Sequence, residues 1–323
     1  MPNTNQKCIL CCYQKHEIIR DTLRGDIKRK VLKCKNCGFV FLEETDRDLV
    51  SYYSQSDYRD QHTSSLDSSF DCQKMFDTHL PFQEKIISHI NHIVRPDMSV
   101  LDVGCSVGYF LSALKDKIGE RVGIELGSKE VSFVEKNLDF KVYSRPIEDL
   151  DIPEAPFDLI TSFWVLEHVD NPIMFLQKIK ENLSPYGYVF LKVPNVKDAL
   201  LSVYNSVGYS DFYFRDPHLW YFSCETLGLL LRQVGFTGVL KTVQSYNFLN
   251  HMHWKLTGTP QNDFMSGNTK PALVDDESGG LEISKELNRF IQKADREYRS
   301  ILEKHNLGED IIFIGQKDEG GTK

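Results

Sequence analysis

The 323-residue sequence predicts an α/β protein built on a doubly wound, seven-stranded, mostly parallel sheet. Two observations carry that expectation. Short apolar runs alternate with stretches of helical spacing from about residue 98 to 316, a pattern that places helices on both faces of a sheet. A glycine turn, Leu101-Asp102-Val103-Gly104-Cys105-Ser106-Val107-Gly108, joins the first of those runs to a helix, as a ligand-binding strand–turn–helix unit requires. A small cysteine-bearing module precedes the sheet, and a helical insertion precedes its last strand.

The amino-terminal module comes first. Cys8-x-x-Cys11 and Cys34-x-x-Cys37 are separated by 22 residues, with Gly38 directly after the second pair. Each pair can put two thiolates on one tight knuckle, and two knuckles complete a tetrahedral structural Zn2+ site with no open position for chemistry. Lys33 and Lys35 flank the second knuckle, where positive charge favours thiolate. Cys12 is an alternative to Cys11 as a ligand; redox chemistry or, for an exported chain, disulfides are the competing readings. Val31-Leu32 and Phe39-Val40-Phe41 read as hairpin-like flanks. Residues 1–45 form this module, and 46–73, polar and rich in serine, form a linker or a cover over the site.

The domain from 74 to 323 follows. Met75 to Val94 has helical spacing, and Pro96 stops it. Met98–Val103, Arg121–Ile124, Phe140–Tyr143, Phe157–Phe163, Tyr188–Val193, Val239–Val243 and Ile311–Gln316 are the seven strands. Tyr109 to Leu114 opens the first helix after the glycine turn. Ser128 is placed as N-cap of a helix through Leu138. Asn171-Pro172 opens another, as N-cap and first helical residue, running to about Leu183. Ser223 caps a helix that Gly235 closes after Val234. The insertion at 248–310, helical from Ile283 to Lys304, is too long for a plain connection and reads as a pocket cover or an oligomer contact.

The turn discriminates between cofactors. A dinucleotide fingerprint would place glycine where Asp102 stands, so that peptide N–H groups meet a diphosphate. A carboxylate there repels phosphate and suits an ammonium and a sulfonium. Glu125, ending the second strand, can accept hydrogen bonds from ribose hydroxyls. S-adenosylmethionine is therefore expected in place of NAD, held by Asp102, Gly104, Cys105, Gly108, Glu125 and its neighbour Leu126. A structural glycine turn in an unrelated α/β domain is the plain alternative.

Composition narrows the partners. A net charge of −8 argues against a general polyanion binder, although Lys28-Arg29-Lys30, Lys33 and Lys35 form a local basic stretch. No apolar run is long enough to span a bilayer. The polar start, Met1 to Gln6, has no apolar leader, so a cytoplasmic protein without a membrane partner is the expectation.

The order of these blocks resembles the class I S-adenosylmethionine-dependent methyltransferases, from about residue 75 to 317. The resemblance implies a Rossmann-like sheet of order 3-2-1-4-5-7-6. It matches Leu101–Gly108 to the first family motif and Glu125 to the ribose-holding acid. Pro146-Ile147-Glu148-Asp149-Leu150 matches the segment whose acid reaches the adenine amine. Phe157–Ile160 through Val165-Leu166-Glu167-His168-Val169 matches the fourth motif, and Leu183–Tyr188 the turn into the fifth strand. The cysteine pairs, Tyr52-Tyr53 and His218-Leu219-Trp220-Tyr221-Phe222-Ser223 are similar to bacterial methyltransferases of sugar, capsule or secondary-metabolite pathways, with Tyr53 folding over the methionine end of the cofactor. Some zinc-bearing relatives methylate carbon and carry a longer C-terminal domain than this chain holds.

Catalytic candidates lie at the carboxyl ends of the strands. His168, in Glu167-His168, and His218, near Tyr221, are candidate bases with a pKa suited to physiological pH. Each has a plain counterpart: Glu167-His168 as a helix start, His218 as a ring packed on Trp220, Tyr221 as core. Phe163 and Trp164 read either as walls near the cofactor or as simple core. The expected activity is methyl transfer to a small polar acceptor, a sugar, nucleotide sugar or related precursor. The rivals are an RNA or protein methyltransferase docking through the ribbon, and a zinc-ribbon interaction protein that no longer turns over.

Overall fold

The computed structural model describes residues 6–44, 71–261, 264–274 and 281–318. In chain order its strands are β1 (His16–Leu23), β2 (Ile27–Cys34), β3 (Val40–Leu42), β4 (Ser99–Val103), β5 (Glu120–Ile124), β6 (Lys141–Tyr143), β7 (Phe157–Phe163), β8 (Leu183–Pro194), β9 (Trp220–Tyr221), β10 (Phe236–Val243) and β11 (Asp310–Lys317). Its α-helices are α1 (Cys72–His79), α2 (Gln83–Ile87), α3 (Tyr109–Ala113), α4 (Ser128–Asn137), α5 (Pro172–Asn182), α6 (Ala199–Ser202), α7 (Val207–Tyr213), α8 (Cys224–Val234), α9 (Phe248–Thr257), α10 (Phe264–Asn268) and α11 (Glu282–Lys304). The chain divides into two compact units. One comprises Met1–Glu44, Val193–Leu229 and Leu240–Ile312; the other comprises Thr45–Lys192, Leu230–Val239 and Phe313–Lys323.

The expected seven-stranded sheet is present, most of its residues in the second unit. Its strand order is β10-β11-β8-β7-β4-β5-β6, which is the 6-7-5-4-1-2-3 arrangement when β4 is counted as the first strand. The pairs β4–β5, β4–β7, β5–β6 and β7–β8 are all parallel. Central strands of such a sheet are covered on both faces and so read as continuous apolar runs. Val100, Leu101, Leu159, Ile160, Val189 and Phe190 accordingly have no more than 1 % of their surface exposed.

Several sequence expectations need correction here. The continuous helix over 75–94 is broken into α1, a 3-10 turn at Leu80–Phe82 and α2. Pro81 is the reason, because it has no N–H to donate and its ring crowds the preceding turn. Ser128 is the first residue of α4; Gly127 takes the cap position and supplies no side chain. β8 begins at Leu183, directly after α5, and not beyond Gly187. A Cβ at Gly187 would lie 2.8 Å from the Phe157 carbonyl oxygen, so glycine there admits close approach of β7. The cap at Asn171 is as expected, its side chain accepting from the N–H groups of Ile173 and Met174 at 3.1 Å.

In the first unit, β1, β2, β3 and β9 form a four-stranded sheet, with β1–β2, β2–β3 and β3–β9 antiparallel. Its core joins Leu23, Val31, Val40 and Leu42 to Tyr213, Phe214 and Tyr221. A segment of some 45 residues has too little apolar surface to bury by itself, and residues 209–221 complete it. The buried Arg29–Asp216 ion pair, 2.8 Å, ties the same two segments. α8 starts as expected: the Ser223 N–H donates to Thr226 Oγ1 at 2.9 Å and the Thr226 N–H to Ser223 Oγ at 3.3 Å. No helix among the described residues is long and apolar enough to cross a membrane.

Candidate active site and metal centre

The carboxyl ends of β4 and β5 bring the candidate cofactor residues together. Gly104 and Gly108 have φ of 82° and 80°, in the left-handed region where a side chain is strained. A Cβ at Gly108 would lie 2.6 Å from Leu138 Cδ1, and one at Gly104 would lie under 3.0 Å from Val165 Cγ2. The turn is thus folded tightly against its own unit.

Its hydrogen bonds bear directly on which ligand it can take. The N–H groups of Gly104 and Cys105 both donate to the Ile124 carbonyl, at 2.8 and 2.9 Å, and that of Gly108 donates to Cys105 at 2.9 Å. The Ser106 N–H donates to Glu125 Oε2 at 2.8 Å. These four donors are spent inside the protein, whereas a diphosphate cradle needs such groups aimed outward.

Glu125, half-buried just past β5, also accepts from the N–H groups of Leu126 and Gly127 at 2.8 Å, both through Oε1. A carboxylate offers about four lone-pair sites. The three N–H donors engage both oxygens and so fix the plane of the carboxylate. Leu126 is half-buried beside it, and the Cys105 thiol is buried in the turn.

Asp102 is 3 % exposed and accepts from Thr161 Oγ1 at 2.6 Å. Burial, reinforced by the nearby Glu125 charge and opposed by the Thr161 bond, pushes its carboxyl up to about 7. A cation placed beside it would draw out the ionised form. Glu148 and Asp149 lie in the 3-10 turn Ile147–Asp149 after β6. Glu148 is half-buried, and burial holds its carboxyl above the usual range; Asp149 is exposed.

At the end of β7, Phe163 meets Phe110 and Phe190 edge-on, at centroid distances of 4.9 and 5.0 Å. Trp164 has φ of 55° and is 38 % exposed. Its N–H donates to the Lys192 carbonyl at 2.8 Å, and the Lys192 ammonium sits 4.2 Å from its ring centroid. Lys192 itself is only 5 % exposed. Sequence reasoning passed over it, because one lysine in an apolar strand gives no sign of being buried. Glu167 is buried, and His168, half-buried, has Nε2 3.9 Å from Glu167 Oε1.

The other candidate bases belong to the first unit. His218 is 3 % exposed, and its Nε2 accepts from Arg215 Nε at 2.9 Å. The Tyr221 hydroxyl accepts from the Arg215 N–H and donates to the Arg215 carbonyl, both at 3.1 Å. Burial raises the Tyr221 phenol well above its ordinary pKa. Tyr53 and its neighbours Tyr52 and Tyr58 lie outside the described residues.

The four cysteines of the amino-terminal pairs converge, their sulfurs all within 4.8 Å of one another. Cys8 and Cys37 are 3.5 Å apart, as are Cys11 and Cys34. A tetrahedral site with bonds of about 2.3 Å needs sulfurs roughly 3.8 Å apart, so this donor set fits a metal ion. Both knuckles have one geometry: the Cys12 N–H returns to the Cys8 carbonyl at 2.8 Å and the Gly38 N–H to that of Cys34 at 3.0 Å. The residue after each pair has positive φ, Cys12 at 57° and Gly38 at 76°. That turn leaves Cys12 exposed and Cys11 in the cluster. Although burial works against it, hydrogen bonds from Asn36 and the Tyr13 N–H bring the Cys11 thiol to about 7.

Residues 76–241, just over half of the chain, match the family model described as a methyltransferase domain. A tRNA U34 carboxymethyltransferase of Pseudoalteromonas atlantica is 27 % identical over 166 residues, 48 % of this chain and 49 % of the relative. A mitochondrial ubiquinone biosynthesis O-methyltransferase of Dictyostelium discoideum is 25 % identical over 152 residues, 42 % of this chain and 46 % of that protein. The chain thus spans about half the length of these curated relatives. Among solved structures, a SAM-dependent methyltransferase from Archaeoglobus fulgidus superposes with a TM-score of 0.47 at 20 % identity, covering 75 % of this chain and 99 % of that one.

Proposed function

The chain belongs to the methyltransferase-domain family, and on that premise we propose that it moves the methyl group of S-adenosylmethionine to a small polar acceptor, a sugar, nucleotide sugar or related precursor. The observation that carries the cofactor assignment is the inward-turned glycine loop. Its N–H groups at Gly104, Cys105, Ser106 and Gly108 are occupied, while acids stand where a cation and a ribose would lie. The acceptor class rests on the resemblance of the cysteine pairs and the His218–Ser223 block to sugar- and capsule-pathway enzymes.

The bound sulfonium supplies an activated methyl group, and the chain's residues orient and deprotonate. In this reading Asp102 faces the ammonium, Glu125 takes a ribose hydroxyl, and Glu148 or Asp149 reaches the adenine amine. Gly104, Cys105, Gly108, Leu126, Phe163 and Trp164 line the cofactor. His168 or His218 accepts the acceptor's proton, with Glu167 orienting His168 and Tyr221 beside His218. The four cysteines hold a structural Zn2+.

Titration calorimetry tests the cofactor assignment. S-adenosylmethionine binds the intact chain, and Glu125→Ala weakens binding at least tenfold, the loss of about one charge-assisted hydrogen bond. Unchanged affinity, or tighter binding of NAD, overturns it. His168→Ala and His218→Ala then separate the two bases: the base variant loses kcat and its acidic pH limb while keeping cofactor affinity.

A second reading has one specific support. Lys28, Lys33 and Lys35 are exposed on or beside β2, and one relative is named for action on tRNA. A nucleic-acid acceptor docked on this hairpin would give RNA affinity that falls steeply with salt.

A further inference from the structure

α11 shows two stripes. Ile291, Asp295 and Leu302 are buried within its own unit, with Tyr298 between them. A second stripe, Ile283, Leu287, Phe290, Ala294, Glu297 and Ile301, recurs at spacings of 4, 3, 4, 3 and 4 residues. Ile283, Leu287, Phe290 and Ile301 are 57, 38, 65 and 57 % exposed. A surface helix packed on one side needs only the first stripe. An alternation of 3 and 4 is the seam of a two-stranded coiled coil, with Leu287 and Ala294 at a positions and Ile283 and Phe290 at d positions.

We propose that α11 is a self-association surface, pairing antiparallel with α11 of a second copy of this chain. Charge selects the orientation and the register. Along the flank of the seam run Glu282, Glu286, Arg289, Lys293 and Arg296, acidic first and basic after. An antiparallel pair centred between Asn288 and Arg289 stacks Ile283 on Ala294 and Leu287 on Phe290 of the second copy. The same register brings Glu286 of each copy to Lys293 of the other, at the flanking positions that meet across an antiparallel seam. Sliding the helices by one heptad to overlap Ile283 with Ile301 would set the two Lys293 ammonium groups against each other. A parallel pair would set Glu286 and Lys293 against Ile291 and Tyr298 at the facing e positions and form neither ion pair.

In this register Ile301 lies beyond the overlap of the two helices, and the exposed parts of Ile283, Leu287 and Phe290 come to roughly 300 Å² per copy, the lower end of a functional apolar patch. With the stems of the flanking Glu286, Arg289 and Lys293, the pair buries on the order of 900 Å², the range of weak, concentration-dependent association.

Sedimentation velocity on the full chain across a concentration series is the test. The species expected at tens of micromolar has twice the 37.3 kDa chain mass. Phe290→Asp yields monomer with an unchanged far-ultraviolet spectrum, and its melting curve matches that of the wild type diluted to monomer, because the ring is exposed. E286K and K293E each weaken the dimer at least tenfold by creating two like-charge contacts, and the E286K/K293E double variant restores it. A wild-type chain that stays monomeric at these concentrations overturns the proposal. So does a dimer indifferent to Phe290→Asp, or a double variant no tighter than either single reversal.

Discussion

Replacing Gly104 by alanine separates the two demands that the turn makes on its first glycine. The backbone demand comes from φ of 82°, a conformation costing an L-residue about 1–2 kcal/mol. The steric demand comes from the new Cβ, which would fall under 3.0 Å from Val165 Cγ2. Val165 sits half-buried in the turn after β7, and overpacking of this kind costs about 1–3 kcal/mol. Together they predict a loss of about 2–5 kcal/mol. Gly235, in the same unit and at φ of 88°, is the control. Its nearest neighbour is the end of the flexible Lys180 side chain, so Gly235→Ala costs about 1–2 kcal/mol. Urea unfolding of both variants gives the difference, and the Gly104→Ala/Val165→Ala pair recovers about 1–3 kcal/mol of coupling. Equal losses at Gly104 and Gly235, or no relief from shortening Val165, would refute the steric argument.

Four further outcomes follow from the same structure. Because the Asp102 carboxyl lies near 7, affinity for S-adenosylmethionine falls as pH drops below 7, approaching tenfold per unit; calorimetry at pH 6 and 8 measures it. Thr161→Val removes the hydrogen bond that favours the ionised Asp102 and moves that midpoint upward. His251 is buried, accepts from Gln244, bonds the Tyr298 hydroxyl at 2.7 Å, and is held neutral to about 4 by burial and Arg299. Its folded pKa is below its unfolded one, so its contribution is complete above about 6.5 and lost as pH falls toward 4, a loss of about 3 kcal/mol that His251→Gln abolishes in urea titrations. A strong chelator removes one Zn2+ per chain from the wild type, and Cys8→Ser or Cys37→Ser prevents loading, as elemental analysis would record.

The strand-and-helix alternation and the Asp102–Glu125 pair were legible in the chain itself. Apolar runs at 99–103, 157–163 and 189–193 are satisfied by burial on both faces, and glycine at 104 and 108 adopts positive φ without the strain a side chain would carry. The cysteine spacing likewise announced two knuckles, and the structure closes them to 3.5 Å. The β1–β2 hairpin was less visible. Its turn carries positive φ at Gly25 and Asp26, a local signal that the flanking β-branched residues strengthen.

Other features depend on neighbours distant in sequence, and no local pattern reports them. The hairpin's core is finished by Tyr213, Phe214 and Tyr221, some 190 residues on. The Tyr221 hydroxyl is engaged by the Arg215 backbone, and Lys192 is buried beneath Trp164. Periodicity encodes which face of an element seeks burial, because that is a property of the element alone. Which groups meet across that face, and how far a buried carboxyl such as Asp102 is driven from its ordinary pKa, is set by the dielectric and the partners that folding assembles around it.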